Sequence, residues 1–274
     1  MATAAGTMPK GHPIYDEGSP RKVRELIRRG GWDTYTRGVA MGYTQANLVI
    51  LPEADAFEFL VFCQRNPKPC PVVEVTDVGS PEPRYSAPGA DLRTDLPAYR
   101  VFLKGELVEE PTDITSYWRD DLVAFLIGCS LTFESALLEA GVPIRTIEMG
   151  VGTCDYVTSL RCRPAGKFRG PMVVSLRPMT PEQAVRATQV TTRFAATHGA
   201  PVHMGDPATI GIADINKPTY GSPLKINEDE VPVFWACGIT PQVVAVESQI
   251  EFMITHKPGH MFITDLPDSD VALF

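Results

Sequence analysis

The residues best suited to chemistry gather toward the C-terminal end. Cys237-Gly238-Ile239-Thr240 follows the apolar run Val231–Ala236 and precedes Pro241, and His256 and His260 flank Pro258-Gly259. A turn that opens a helix presents free backbone N–H groups, which suit a carboxylate or a developing oxyanion. A histidine beside it can carry a proton near neutral pH. The histidines stand at i, i+4, but Pro258 between them forbids the regular helix that a two-histidine metal face needs. No metal is expected.

A second cluster is Gly205-Asp206-Pro207, followed by Gly211-Ile212-Ala213-Asp214. Asp206 comes after a predicted strand, where ligands of open α/β sheets bind. Each of these residues also has a plainer use. Cys237 can be a small buried hydrophobe, His260 a structural hydrogen-bonder, and Asp206 a turn cap. The sequence has no Gly-x-x-x-x-Gly-Lys-Ser/Thr, no Gly-x-Gly-x-x-Gly after a strand and no Gly-x-Ser-x-Gly. ATP, dinucleotides and the commonest serine-hydrolase elbow are unsupported, and no cofactor is expected.

The elements that must position these groups follow from punctuation and period. Ser19-Pro20 opens a helix that Gly30-Gly31 ends. Leu48–Leu51 reads as a strand, Pro52 starts a second helix that ends near Asn66-Pro67, and Pro71–Val75 reads as a buried strand. Ser80–Leu96 is loop, and Tyr99–Leu103 with Glu106–Glu109 is a hairpin. Asp121–Gly141 reads as helical, interrupted near Gly128–Ser130. Ile144–Ser159 and Met172–Leu176 read as strands. Thr180-Pro181-Glu182-Gln183 has the form of a capping box, opening a helix to about His198. Val231–Ala236, a short helix from Thr240-Pro241 and Glu251–Thr255 make a strand–helix–strand unit, and Met261–Thr264 is a last strand. A right-handed crossover would make the two strands of that unit parallel neighbours and bring Cys237–Thr240 and His256–His260 to one sheet edge. The whole is α/β with mixed sheets in two domains. The expected division is a flexible arm over 1–19, a main domain over 20–135 plus 205–274, and an inserted domain over 136–204.

Composition narrows the partners. The chain has 274 residues, with 25 Lys+Arg against 33 Asp+Glu and a net charge of −8. A nucleic-acid grip needs a basic stripe. The densest candidate, Arg21 to Arg29, buries Val23, Leu26 and Ile27 and reads as a solvated helix face. Leu122–Ile127, the longest apolar run, is far short of the ~20 residues that span a bilayer. The six cysteines form no Cys-x-x-Cys, and Met1–Pro20, with no apolar stretch of signal length, reads as a flexible arm and not as a leader. Reduced thiols in a cytoplasmic protein are expected.

Several blocks in order carry a resemblance. They are Gly42-Tyr43-Thr44-Gln45-Ala46-Asn47-Leu48 with Leu51-Pro52, Gly128-Cys129-Ser130-Leu131-Thr132-Phe133-Glu134, Gly170-Pro171-Met172-Val173-Val174-Ser175, Gly205-Asp206-Pro207, VPVFWACGITPQ at 231–242 and HKPGHMFITD at 256–265. Together they resemble the D-glutamate cyclase family, whose bacterial members are often labelled hydro-lyases. The resemblance implies a three-layer α/β/α domain with a smaller two-layer α/β domain. It also implies loss of water from D-glutamate to give 5-oxo-D-proline, without nucleotide. The sequence departs from the family pattern at Trp32–Val39, at Ile144–Thr158 and at Ser222.

That reaction needs a proton carrier, an oxyanion site and a cation for the α-carboxylate. The sequence offers His260, His256, Glu134 and Asp206 as acid/base candidates. For substrate binding it offers Arg84, Cys237, Gly238, Ile239, Thr240 and Asp214. The partner is then a small-molecule carboxylate, with neither nucleic acid nor membrane, and a homodimer is allowed. A non-catalytic carboxylate binder, or a hydro-lyase acting on a different small acid, would use the same pocket.

Overall fold

The computed structural model describes residues 18–273. Twelve strands follow one another: β1 (Tyr43–Pro52), β2 (Val72–Val75), β3 (Tyr99–Leu103), β4 (Glu106–Glu109), β5 (Leu122–Gly128), β6 (Cys154–Arg161), β7 (Pro171–Met179), β8 (His203–Met204), β9 (Tyr220–Gly221), β10 (Val231–Ala236), β11 (Phe252–His256) and β12 (Phe262–Pro267). Among them lie the helices α1 (Pro20–Arg28), α2 (Glu53–Arg65), α3 (Glu134–Glu139), α4 (Arg145–Met149), α5 (Pro181–Thr192) and α6 (Thr240–Glu247). The larger sheet has the order β2-β5-β1-β11-β3-β4, with β12 also on β1, and the smaller has β8-β10-β7-β6-β9.

The fold is α/β with two sheets, as expected, but every ladder is antiparallel rather than mixed. The crossover expected over Val231–Thr255 does not form. β10 belongs to the smaller sheet and β11 to the larger, and α6 carries the chain from one to the other. Periodicity identifies elements but not whether consecutive strands share a sheet. The smaller sheet draws its strands from Cys154 to Ala236, past the 136–204 stretch expected for an inserted unit. Of the arm expected over 1–19, all but Gly18 and Ser19 lies outside the described residues.

β1 is the central strand of the larger sheet, and Thr44 to Leu51 are all buried. Alternation sends its side chains to two cores. Val49 and Leu51 meet Phe59 and Phe62 of α2 and Val244 and Ala245 of α6. Leu48 and Ile50 face Ala87, Leu92 and Leu96 of the long irregular stretch after β2, and Ile114 after β4. Tyr99 ties that stretch down, its Oη accepting from Leu96 N at 3.2 Å and donating to Leu92 O at 2.9 Å. On the smaller sheet, α3 and α5 pack through Phe133, Leu137, Ala184 and Ala187 against Val233 and Trp235.

Three further expectations are corrected. Leu122–Gly128 is a strand, and helix resumes only at Glu134, because an apolar run buried on both faces has no period to read. Ile144–Ser159 begins with α4 and becomes strand at Cys154. Val72–Val75 is a half-buried edge strand. The hairpin of β3 and β4 forms as read, and so does the capping box. Thr180 Oγ1 accepts from Gln183 N at 3.3 Å, and Gln183 Oε1 accepts from Thr180 N at 3.0 Å. The helix it opens stops at Thr192, short of His198. The basic face of α1 is only partly solvated. Arg24 is buried against Asp265, at 2.9 and 3.0 Å, and Arg28 grips Asp95 twice at 2.7 Å.

Gly128 ends β5 against the turn at Ala195–Thr197, where a β-carbon would stand 1.9 Å from Ala196 O. Gly128→Ala must push that turn away, and overpacking of this kind costs roughly 1–3 kcal/mol. A lower urea midpoint is the expected result, and an unchanged midpoint would show that the turn yields freely.

Candidate active site

A small cavity lies where the two sheets meet. The larger sheet supplies Asn47 from β1, Cys129 and Ser130 after β5, and His256 at the end of β11. The smaller sheet supplies Asp155 from β6, Ser175 from β7, and Cys237 and Ile239 after β10. Arg37, Leu131, Gly152, Thr153, Gly259 and Met261 complete the wall. The cavity volume is about 30 Å³, room for about one water.

Asp155 and Ser175 are paired across the β6–β7 ladder. The Ser175 hydroxyl donates to Asp155 at 2.6 Å, and the Thr153 hydroxyl bonds the other carboxylate oxygen. Asp155 is 1% exposed. Burial pushes its carboxyl above the ordinary range, against the pull of the hydroxyl bonds and of Arg37 and Arg177. Cys237 adjoins the pair, and burial holds its thiol well above its usual value. It is a neutral thiol and not a ready nucleophile.

His256 is fully buried, and burial pushes it down to about 3. Its Nδ1 lies 3.2 Å from Leu48 N and 3.4 Å from Leu48 O, and the shorter contact, with Leu48 N–H donating, puts the proton of the neutral ring on Nε2. That nitrogen has no partner among the described residues. His256 therefore supplies an N–H donor near neutral pH, and not the titrating acid that the sequence offered.

Behind the cavity, Arg37 and Arg177 share one buried carboxylate. Glu134 Oε1 accepts from Arg37 Nη1 and from Arg177 Nη2, the latter at 2.6 Å. Arg37 also donates to Gly152 O at 2.8 Å, and Arg177 to Ser130 Oγ at 3.0 Å. The Arg177 guanidinium lies 5.3 Å from the ring centres of Phe133 and Trp235. The two arginines face two carboxylates, Glu134 behind the cavity and Asp155 within it, and Arg37 lines the cavity.

The sequence candidates thus separate. The cavity brings together His256, Cys237 and Ile239, with Gly238 between the last two. The backbone N–H groups of Cys237 and Thr240 are taken by Val173 O and Cys237 O, and that of Ile239 bonds the Cys237 thiol, which leaves the Gly238 N–H as the one of the four without an acceptor among the described residues. Thr240 fixes the turn instead: its hydroxyl donates to Cys237 O at 2.8 Å and accepts from Val173 N at 3.0 Å. Glu134 stands behind Arg37, held by both arginines. His260 lies in an adjoining pocket, with Nδ1 on Pro258 O at 3.0 Å, and burial lowers it. Three residues are elsewhere. Asp206 caps a 3-10 turn through Ala208 N, Asp214 pairs with Lys217, and exposed Arg84 pairs with Asp77.

Sequence reading missed Asp155, Ser175, Arg37, Asn47 and Arg177. A signal existed for three of them. Asn47, Asp155 and Ser175 are polar residues inside strands whose neighbours are apolar, each at a buried or half-buried position.

Two buried histidines give stability a pH dependence of known sign. Burial pushes His198 down to about 4 and His256 to about 3, while an unfolded histidine titrates near 6.5. The unfolded chain binds more protons below pH 6.5, so stability falls as pH drops from there toward the folded values. Asp268, raised to about 6 by burial, acts oppositely: its contribution is present at low pH and lost as pH rises through 6. His198→Gln isolates one term. Comparing urea unfolding at pH 7 and pH 5, the variant should lose about 1–2 kcal/mol less than the parent. Equal losses would mean that His198 titrates normally.

Comparison with known proteins gives a consistent set of matches. The profile of the D-glutamate cyclase family matches residues 123–265. A protein of Stutzerimonas stutzeri is 58% identical over 259 residues, covering 94% of this chain and 98% of its own. One from Thermoanaerobacter sp. is 59% identical over 258 residues, covering 94% and 97%. One from Geobacillus kaustophilus is 58% identical over 255 residues, covering 93% and 97%. All three carry the name "Putative hydro-lyase". Among solved structures, a nitrogen repressor-like protein from Methanococcus jannaschii matches 89% of this chain and 97% of its own, at TM-score 0.38 and 11% identity.

Proposed function

The chain belongs to the D-glutamate cyclase family, and from that premise we propose that it is a hydro-lyase that closes D-glutamate to 5-oxo-D-proline in the cavity between its sheets. The observation that carries this reading is the buried Asp155–Ser175 pair, set beside Cys237 and His256 in one cavity.

The reaction moves two protons from nitrogen to oxygen. The α-ammonium gives up one proton, the amine attacks the side-chain carboxyl carbon, and the nitrogen then gives up another. Both pass through Asp155 to the departing oxygen, which leaves as water when its bond to carbon breaks. A carboxyl raised by burial suits this exchange, because its affinity for the proton lies closer to neutrality. The Ser175 and Thr153 hydroxyls hold it in place. His256 Nε2–H and the Gly238 N–H stabilise the oxyanion. Arg37, which lines the cavity, holds the α-carboxylate. The fixed cation and donors hold the amine against the carboxyl, and that proximity replaces the entropy of a bimolecular encounter.

The test is incubation of the pure chain with D- and L-amino acids and with hydroxy acids, read by mass spectrometry for loss or gain of water. Loss of water from D-glutamate, with no nucleotide added, is the expected result. Turnover of a hydroxy acid alone would move the substrate class, binding without turnover would make the protein a carboxylate carrier, and turnover only with ATP would overturn the proposal. Among the described residues no helix is long and apolar enough to cross a membrane. A cytoplasmic site of action accords with the six free thiols.

A further inference from the structure

The inner cavity has room for about one water, and a five-carbon amino acid cannot enter it as it stands. Next to it lies a larger pocket of about 230 Å³, lined by Tyr35, Arg100, Thr219, Tyr220, Lys257 and His260 among others. Thr153 lines both spaces. Between them stands the ring of Tyr35. A β-carbon on Gly152 would be 2.4 Å from the ring's Cε1, and one on Gly259 would be 2.5 Å from its Cδ1. Both glycines line the inner cavity, so the ring edge fills the space that their missing side chains leave.

The outer pocket has the charge for an anionic visitor. Glu110 accepts from Arg100 Nε at 2.7 Å and from Lys257 Nζ at 2.9 Å, which leaves one positive charge over the three groups. Arg100 spends Nη1 on Gln242 at 3.2 Å and lies 5.6 Å from the Tyr220 ring centre. The Tyr35 ring is placed by packing, including a tilted contact with His260 at 5.2 Å, and its hydroxyl makes no hydrogen bond among the described residues. No polar bond has to break for the ring to move.

We propose that the outer pocket is an entrance subsite for a small carboxylate, and that the Tyr35 ring is the partition displaced when that carboxylate passes between Gly152 and Gly259 into the inner cavity. This rests on the reading of the inner cavity as the reaction site. Arg100 and Lys257 collect the anion, and the ring narrows the way between the two spaces. The partition admits only molecules that can displace it, so it contributes to substrate selection as well as to exclusion of water.

Cys129 and Cys237 line the inner cavity, whereas Cys63, Cys70 and Cys162 are packed in the core beneath α2. The pure full-length chain is treated with methyl methanethiolsulfonate, and modification of each cysteine is followed by peptide mass spectrometry. In Tyr35→Ala, Cys129 and Cys237 should react on the order of tenfold faster than in the parent, with the three core cysteines unchanged. Glutarate in excess should slow the reaction at Cys129 and Cys237. Tyr35→Leu repeats the test should the alanine variant fail to fold. Unchanged rates at Cys129 and Cys237, equal acceleration at all five cysteines, or no effect of glutarate would each overturn the proposal. The readout needs no turnover. A chain that fails to convert D-glutamate but shows the cysteine pattern refutes the reaction alone, and a chain that converts it without the pattern refutes the partition alone.

Discussion

Asp155→Asn is expected to lower turnover of D-glutamate by about 10²–10⁴-fold while the protein remains folded. The amide keeps the shape of the carboxyl and can still meet the hydroxyls of Ser175 and Thr153, which rotate to suit. It cannot carry a proton. Burial raises the Asp155 carboxyl, so protonation of the native chain begins at a higher pH than for an ordinary aspartate. Replacing it with a neutral amide removes a buried charge, and stability near neutral pH should hold or rise. Steady-state kinetics together with urea unfolding check both halves. Full activity in Asp155→Asn would send the search for the proton carrier elsewhere in the cavity, and a collapse in stability would make the residue structural.

The largest effect on stability is expected from Glu134→Ala. Glu134 is 1% exposed and is the shared acceptor of Arg37 and Arg177. Arg177 already has two buried nitrogens without partners, Nε and Nη1. Without the carboxylate, two guanidinium ions face each other in a dry interior. Breaking a buried pair in this way costs about 3–5 kcal/mol, which for a chain of this size lowers the melting temperature by roughly 10 °C. Activity should fall as well, because Arg37 loses the group that aims it. Glu134→Gln keeps the volume and one acceptor and should recover part of the stability but not the charge balance. A melting temperature within a degree of the parent in Glu134→Ala would mean that water or an anion takes the carboxylate's place.

How far the sequence could be read depended on whether local chemistry decides the outcome. Thr180 and Gln183 sit three residues apart, and their capping box needs nothing from outside the helix, so it appears as read. The hairpin at Lys104-Gly105 is equally local. Leu122–Gly128 was illegible because both of its faces are buried by distant segments, which removes the polar interruptions that reveal a strand. The site shows the same division. Cys237 and His256 do meet in one cavity, but through two sheets butting together and not through a crossover within one. Asp155 stayed hidden because its meaning comes from Ser175, twenty residues away, and from Arg37 at the other end of the chain. Arg84, Asp206 and Asp214 were attractive by residue type alone, and their local pairings account for them.

The strand order has a consequence for how the chain is made. β3 and β4 reach the rest of their sheet only through β11, and one edge of β1 is covered only by β11 and β12. The ribosome completes β5 at Gly128 and does not begin β11 until Phe252, roughly 120 residues later. At about 5–20 residues per second, that interval is on the order of 10 s. Throughout it, the nascent chain can hold β2, β5 and β1 together while the hairpin waits undocked and an apolar strand edge stays bare, a ready partner for a neighbouring nascent chain. The smaller sheet emerges complete within the same interval. Closure of the larger sheet therefore waits for β11 and β12, and slowed elongation before Phe252 is the stage at which the bare edge of β1 is most exposed to aggregation.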